Sequence, residues 1–192
     1  PMALSCGIAC PDEQLCASAC LRAAIDTPIS IRRLHRFAND HEEEAGPRAP
    51  AVAPRTSARV AVVGGGPSGL ACASELRRRG IAVTLYEGQP RLGGVLAGTI
   101  PLYRFPERVI QRDAEWSLGL DANRRDGAGR RKDGAQVDVR LGTKVEEIES
   151  LARTHDAVFV APGLVMETPE IRGSDLRGVT DAAELLARCR KT

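Results

Sequence analysis

A strand that runs into closely spaced glycines and then into a helix leaves a chain few ways to fold. The stretch from Arg59 to Gly94, RVAVVGGGPSGLACASELRRRGIAVTLYEGQPRLGG, has this form. Arg59–Val63 is a short run of β-branched and small apolar residues, as a buried strand requires. Gly64, Gly66 and Gly69 then give the G-x-G-x-x-G spacing, with Pro67 and Ser68 between the last two. A helix to about Arg79 follows, with Leu70, Ala73 and Leu76 on one face and Arg77, Arg78 and Arg79 at its C-terminal end, where cations suit the dipole. Gly80 stops the helix, and Ile81–Tyr86 forms a second strand ending at Glu87.

Each part has a physical task. The first glycine permits a tight turn, the second lets a pyrophosphate approach the main chain, and the third lets helix and strand pack closely. The helix N-terminus offers free N–H groups and partial positive charge to phosphates. An acid at Glu87, eighteen residues after Gly69, stands where it would accept hydrogen bonds from ribose hydroxyls. A lone glycine motif would say little; strand, glycines, helix, strand and acid in order predict a parallel α/β dinucleotide site. Arg91-Leu92-Gly93-Gly94 adds a second glycine pair, which lets main chain lie against a long cofactor.

The chain has 192 residues, a formal net charge of +2 and 3% aromatic residues. That balance implies neither a nucleic acid nor a membrane partner. No apolar run approaches the ~20 residues of a membrane span. With no basic region and apolar stretch at its start, the sequence points to the cytoplasm. It opens almost directly on a cysteine cluster and reads as a piece of a longer polypeptide.

Residues 1–41 form a cysteine-rich segment that turns helical. Cys6, Cys10, Cys16 and Cys20 are spaced C-x3-C-x5-C-x3-C. Zinc sites usually pair cysteines as C-x2-C, and disulfides suit exported chains. Iron–sulfur ligation fits the spacing better, with zinc and structural or oxidised thiols as the alternatives. Residues 42–57 are rich in proline, alanine and charge and read as an extended linker. Residues 58–192 then form the dinucleotide-binding domain, incomplete at its C-terminus. Within it the pattern predicts a helix at Pro106–Ser117, with Val109, Ile110 and Ala114 inward. A Gly- and Arg-rich surface insertion follows at Asp121–Gln136. Strands are predicted at Val137–Leu141, Thr143–Val145 and Asp156–Val160, the last of them buried, and helices at Ile148–Arg153 and Asp181–Cys189. The isolated Cys72 and Cys189 read as small buried residues. Trp116 reads as packing.

The segment Arg59–Gly94, with Gly98-Thr99-Ile100-Pro101-Leu102-Tyr103-Arg104-Phe105-Pro106 after it, resembles the glutamate synthase small subunit and dihydropyrimidine dehydrogenase N-terminal family. So does CGIACPDEQLCASACLRAAIDTPISIRRLHRFAND, which is similar to the second half of that family's iron–sulfur domain. The resemblance implies a Rossmann-like FAD-binding domain (a parallel sheet with helices) after a small helical iron–sulfur segment. FAD would be held by Gly64, Gly66, Pro67, Ser68, Gly69, Glu87, Gln89, Gly94, Val95 and Arg104, with Val145 near the adenine. Cys10, Cys16 and Cys20 would ligate a [4Fe–4S] cluster, with Cys6 nearby and His35 at a polar ligand position of a second cluster. The family's upstream cysteine block does not stand in this sequence, so these clusters would not close as the family closes them. Ala161-Pro162-Gly163 stands where the family has A-T-G, and Pro162 removes a hydroxyl and an N–H from that turn.

The implied function is the FAD and iron–sulfur portion of an NAD(P)H-dependent oxidoreductase. It would work with another subunit or further domains and with a ferredoxin-like electron carrier. Two other readings stand beside it: an incomplete flavoprotein module that needs a partner chain, and an NAD-dependent dehydrogenase. No catalytic acid, base or nucleophile is apparent.

Overall fold

A computed structural model describes residues 2–45, 51–120, 137–164 and 170–190. The predicted insertion at 121–136 and linker residues 46–50 lie outside them. Two helices, α1 (Ala3–Ala9) and α2 (Ile31–Ala45), flank a cysteine-bearing stretch of 3₁₀ turns at Asp12–Gln14 and Leu21–Ala24. The α/β part follows as β1 (Arg59–Val63), α3 (Pro67–Arg78), β2 (Ala82–Tyr86), α4 (Val95–Gly98), α5 (Glu107–Leu118), β3 (Val137–Arg140), α6 (Ile148–Ala152), β4 (Ala157–Val160) and α7 (Ala182–Cys189).

The four strands make one parallel sheet in the order β3-β2-β1-β4. Parallel neighbours need a crossover, and α3 supplies it between β1 and β2. Alternation along β1 sends Val60 and Val62 to one face and Ala61 and Val63 to the other. On the first face Val62, Leu85, Leu70, Phe105 and Ile110 are almost wholly buried, between the sheet and helices α3 and α5. Each such side chain contributes roughly 1.5–3 kcal/mol relative to exposure. The second face is thinner, with Ala61, Tyr86 and Leu151 of α6.

Several elements depart from the sequence-based expectation. Helix α2 runs on to Ala45, so the linker begins later than residue 42. The linker's end is not a free spacer: the Ala53 N–H donates to the Arg78 carbonyl and the Thr56 N–H to that of Gly80, each at 2.8 Å. Thr143–Val145 is not a strand. Gly142, at φ 63°, turns the chain away, and the Thr143 N–H donates to the Glu87 carbonyl outside the ladder. Strand β4 is not buried: Phe159 is 39% and Val160 47% exposed. Among the described residues it pairs with β1 alone, and α7 buries no residue that would cover it. Pro106 is the N-cap of α5 rather than part of its first turn, and Cys189 is exposed. Val109, Ile110 and Ala114 face inward as expected.

Candidate functional site

The C-terminal ends of β1, β2 and β4 converge at the place where strand order reverses, the position at which open α/β sheets bind ligands. The Gly64–Gly69 loop leaves β1 there. Gly64 has φ 105°, and a Cβ on it would collide with the Ala161 carbonyl after β4. A Cβ on Gly69 would strike the Gly64 carbonyl. Both glycines are demanded by close backbone approach. Helix α3 starts with Pro67, which lacks an N–H, and its N-cap is Gly66, which has no side chain to satisfy the first-turn amides. Pro67 and Ser68 are exposed at this uncapped helix end.

Gly66 differs from its neighbours. Its φ is −77° and ψ −176°, angles any residue adopts, and a Cβ there would meet only the Gly94 Cα at 3.7 Å. The protein's own packing does not require glycine at this position. Opposite it, Gly94 is at φ 53°, and a Cβ would sit 2.9 Å from the Gly66 Cα. The Gly93 N–H donates to the Gly65 carbonyl at 2.8 Å, which staples the two glycine segments together. Val95, exposed, opens α4 beside them.

Glu87 is 9% exposed and faces the same loop. Its Oε2 accepts the Gly65 N–H at 2.6 Å, and its Oε1 accepts the Gln89 N–H at 2.7 Å. A carboxylate has about four acceptor positions, so capacity remains for ribose hydroxyls. The Thr143 bond to Glu87 and that from the Gly142 N–H to the Gln89 carbonyl bring residues 142–145 alongside. Val145 there is half-buried against Ala61, Tyr86 and Leu151. Arg104 is exposed in the Pro101–Phe105 turn, where its N–H donates to the Pro101 carbonyl at 3.0 Å. That turn is held instead by Arg190, which sequence reasoning missed: its buried guanidinium donates to the Ile100 and Phe105 carbonyls. Burial pushes the Arg190 pKa down.

The cysteine segment is less complete. Cys6 lies on α1 and Cys10 caps it, while Cys16 and Cys20 sit on the following turns, and all are free thiols. Among the described residues no three His, Cys, Asp or Glu side chains converge to hold a metal ion. Cys10, Cys16, Cys20 and His35 are thus not brought together, and His35 is exposed on α2. Backbone hydrogen bonding, from Ile29 first and then Arg22, holds the Cys20 pKa below the ordinary thiol value. Such hydrogen bonds are how proteins tune cluster thiolates. Burial, with the nearby Cys10 and Asp113, pushes the Cys6 thiol the other way. The donor chemistry suits an iron–sulfur cluster, but the arrangement does not by itself close one.

Residues 1–47 match the family model described as dihydropyrimidine dehydrogenase domain II, 4Fe–4S cluster. Residues 62–126 match that of an NAD(P)-binding Rossmann-like domain. The NAD-dependent dihydropyrimidine dehydrogenase subunit PreT of Escherichia coli K12 is 42% identical over 57% of the chain and 26% of its own length. The NADPH-Fe(3+) oxidoreductase subunit beta of Geobacter sulfurreducens is 36% identical over 91% of the chain and 25% of its own length. The glutamate synthase [NADPH] small chain of Escherichia coli K12 is 29% identical over 82% of the chain and 31% of its own length. A solved structure of 2-naphthoyl-CoA reductase superposes with a TM-score of 0.53 at 26% identity, over 75% of the chain and 20% of that protein. The chain spans about a quarter to a third of the curated relatives it matches. It is a homologue of the dihydropyrimidine dehydrogenase subunits and glutamate synthase small chains, with a 4Fe–4S-type segment followed by an NAD(P)-binding Rossmann-like domain.

Proposed function

We propose that residues 59–164 grip FAD and that the chain is the flavin-binding and cysteine-bearing portion of an NAD(P)H-linked oxidoreductase. The observation that carries this reading is Gly66, a glycine that the protein's own packing leaves unexplained, facing a second glycine segment stapled beside it. A nicotinamide dinucleotide on a Rossmann unit needs the first glycine loop. The Gly93–Gly94 segment extends that surface for a longer cofactor. Gly64, Gly66, Ser68, Gly69, Gly94 and Val95 would line the pyrophosphate, and Glu87 would take the ribose, with Gln89 and Val145 toward the adenine and Arg104 toward the far side. FAD would supply the electron chemistry, while these residues bind and orient it.

A second reading has its own support. The cysteines do not converge, so the chain fits a module whose iron site is completed by further polypeptide, either a partner subunit or other domains. The relatives bearing the word subunit in their names favour an assembly of this kind. Reduced nicotinamide cofactor and a ferredoxin-like carrier would then be met by the complete enzyme.

Titration of the purified chain with FAD, NAD+ and NADP+ by calorimetry tests the cofactor. Tight FAD binding that neither nicotinamide nucleotide displaces is the expected result. Binding of NAD+ or NADP+ in preference to FAD would make the chain a nicotinamide domain and end the flavin assignment.

A further inference from the structure

Helix α5 touches both halves of the chain. On one side a Cβ at Gly93 would come 2.5 Å from the Ile110 Cγ1, so α5 lies directly behind the second glycine segment. Three residues on, about 4.5 Å along the axis at 1.5 Å per residue, Asp113 reaches the cysteine segment. Its Oδ2 accepts the Ser5 N–H at 2.7 Å and its Oδ1 the Leu4 N–H at 3.3 Å. These are first-turn amides of α1, which has no side-chain cap of its own. Asp113 is 4% exposed. Such a carboxylate is tolerated in the interior only because N–H donors and the helix dipole meet it.

Helix α1 carries Cys6 and ends at Cys10, and it is locked to α2. A Cβ on Gly7 would sit 3.0 Å from the Arg36 Cα, and the Asn39 amide donates to the Ala3 carbonyl at 3.2 Å. Whatever fixes α1 therefore fixes the cysteine segment as a unit.

We propose that Asp113 is a positioning residue that holds the cysteine-bearing segment at a set distance from the dinucleotide cradle, with α5 as the spacer. The proposal rests on the reading of residues 59–94 as the cofactor grip and names what ties that grip to the thiols. Placing reactive centres relative to one another is the protein's share of cofactor chemistry.

Hydrogen exchange read by mass spectrometry on the parent chain, Asp113→Ala and Asp113→Asn tests it. In Asp113→Ala the amides of residues 3–9 exchange at least tenfold faster, while those of β1 and β2 keep the parent's rates. Asn retains one acceptor oxygen and falls between. Alkylation of Cys6 rises in the same order. Both variants remove the negative charge near that thiol, so the difference between them reports the hydrogen bonds alone. Unchanged exchange at residues 3–9 in Asp113→Ala, or identical behaviour of the Ala and Asn variants, overturns the proposal. So does equal loss of protection in the sheet, since Asp113 would then support the domain's own core. FAD titration of the same proteins keeps the two readings apart: a parent that binds no FAD sinks the cofactor assignment, and the exchange rates still decide the anchoring.

Discussion

Gly64, Gly66 and Gly69 share a motif but not a reason for being glycine. At Gly64 and Gly69 an added methyl group meets a backbone oxygen that has no room to retreat. Gly64→Ala or Gly69→Ala therefore lowers stability by roughly 1–3 kcal/mol or more, as overpacking does. Gly66→Ala meets only an ordinary contact, so its melting temperature stays near the parent's while FAD affinity falls at least tenfold. Thermal unfolding and FAD titration on all three variants check this split. A Gly66→Ala protein that binds FAD as the parent does would remove the basis for the cradle. Glu87→Ala behaves differently again, because the carboxylate serves the apo fold as well. It leaves the Gly65 and Gln89 N–H groups without their acceptor, so stability and affinity drop together. The binding loss, about 1.5–3 kcal/mol for a charge-assisted bond, is read from the same titration as a shift on the order of ten- to hundredfold.

Among the elements, β1, α3 and β2 were legible because each announces itself within a few residues: β-branched runs, spaced glycines, a basic helix end. The bounds of β1 and β2 and the end of α3 fall within a residue of expectation, whereas α3 begins at Pro67, inside the glycine motif rather than after it. What the sequence hid is long-range. Asp113 and Ser5 are 108 positions apart, and the polar face of α5 carries no local sign that one acid turns inward to cap another helix. Strand β4 reads as buried because its residues are apolar, yet exposure depends on what lies beside it in the sheet. The cysteine spacing was plain, but spacing does not say whether thiols meet. The turns after Cys20 do carry a testable consequence. Backbone N–H groups lower its pKa, whereas burial raises those of Cys6 and Cys72. At neutral pH Cys20 holds more thiolate, and the thiolate is the nucleophile. It is expected to alkylate faster than Cys6 and Cys72 under limiting iodoacetamide, with the gap narrowing as pH rises through the two raised values. Peptide mapping over a pH series measures this, and a faster Cys6 at pH 7 would contradict the turn geometry.

For the whole molecule, the two halves differ in how nearly finished they are. The α/β part has a closed core on one sheet face and a glycine cradle whose hydrogen bonds are already in place. The cysteine segment exposes Leu21 at 91% and Ile25 at 90%, and its thiols stand apart. Cofactor loading should follow that difference. Binding to the folded state alone stabilises by RT ln(1 + [L]/Kd), about 2.7 kcal/mol at a hundred times Kd. FAD in such excess is expected to raise the melting temperature of the α/β part, at a stoichiometry near one per chain. Anaerobic treatment with ferrous iron and sulfide should leave far less than four irons per chain after desalting, because binding must first assemble a site the fold does not present. If iron is instead retained at four per chain with Cys6, Cys10, Cys16 and Cys20 all protected from alkylation, the segment rearranges around its metal. Its free energy of assembly would then come from the cluster, as in small metal-folded domains, and the anchor at Asp113 would hold a part that is shaped only when loaded.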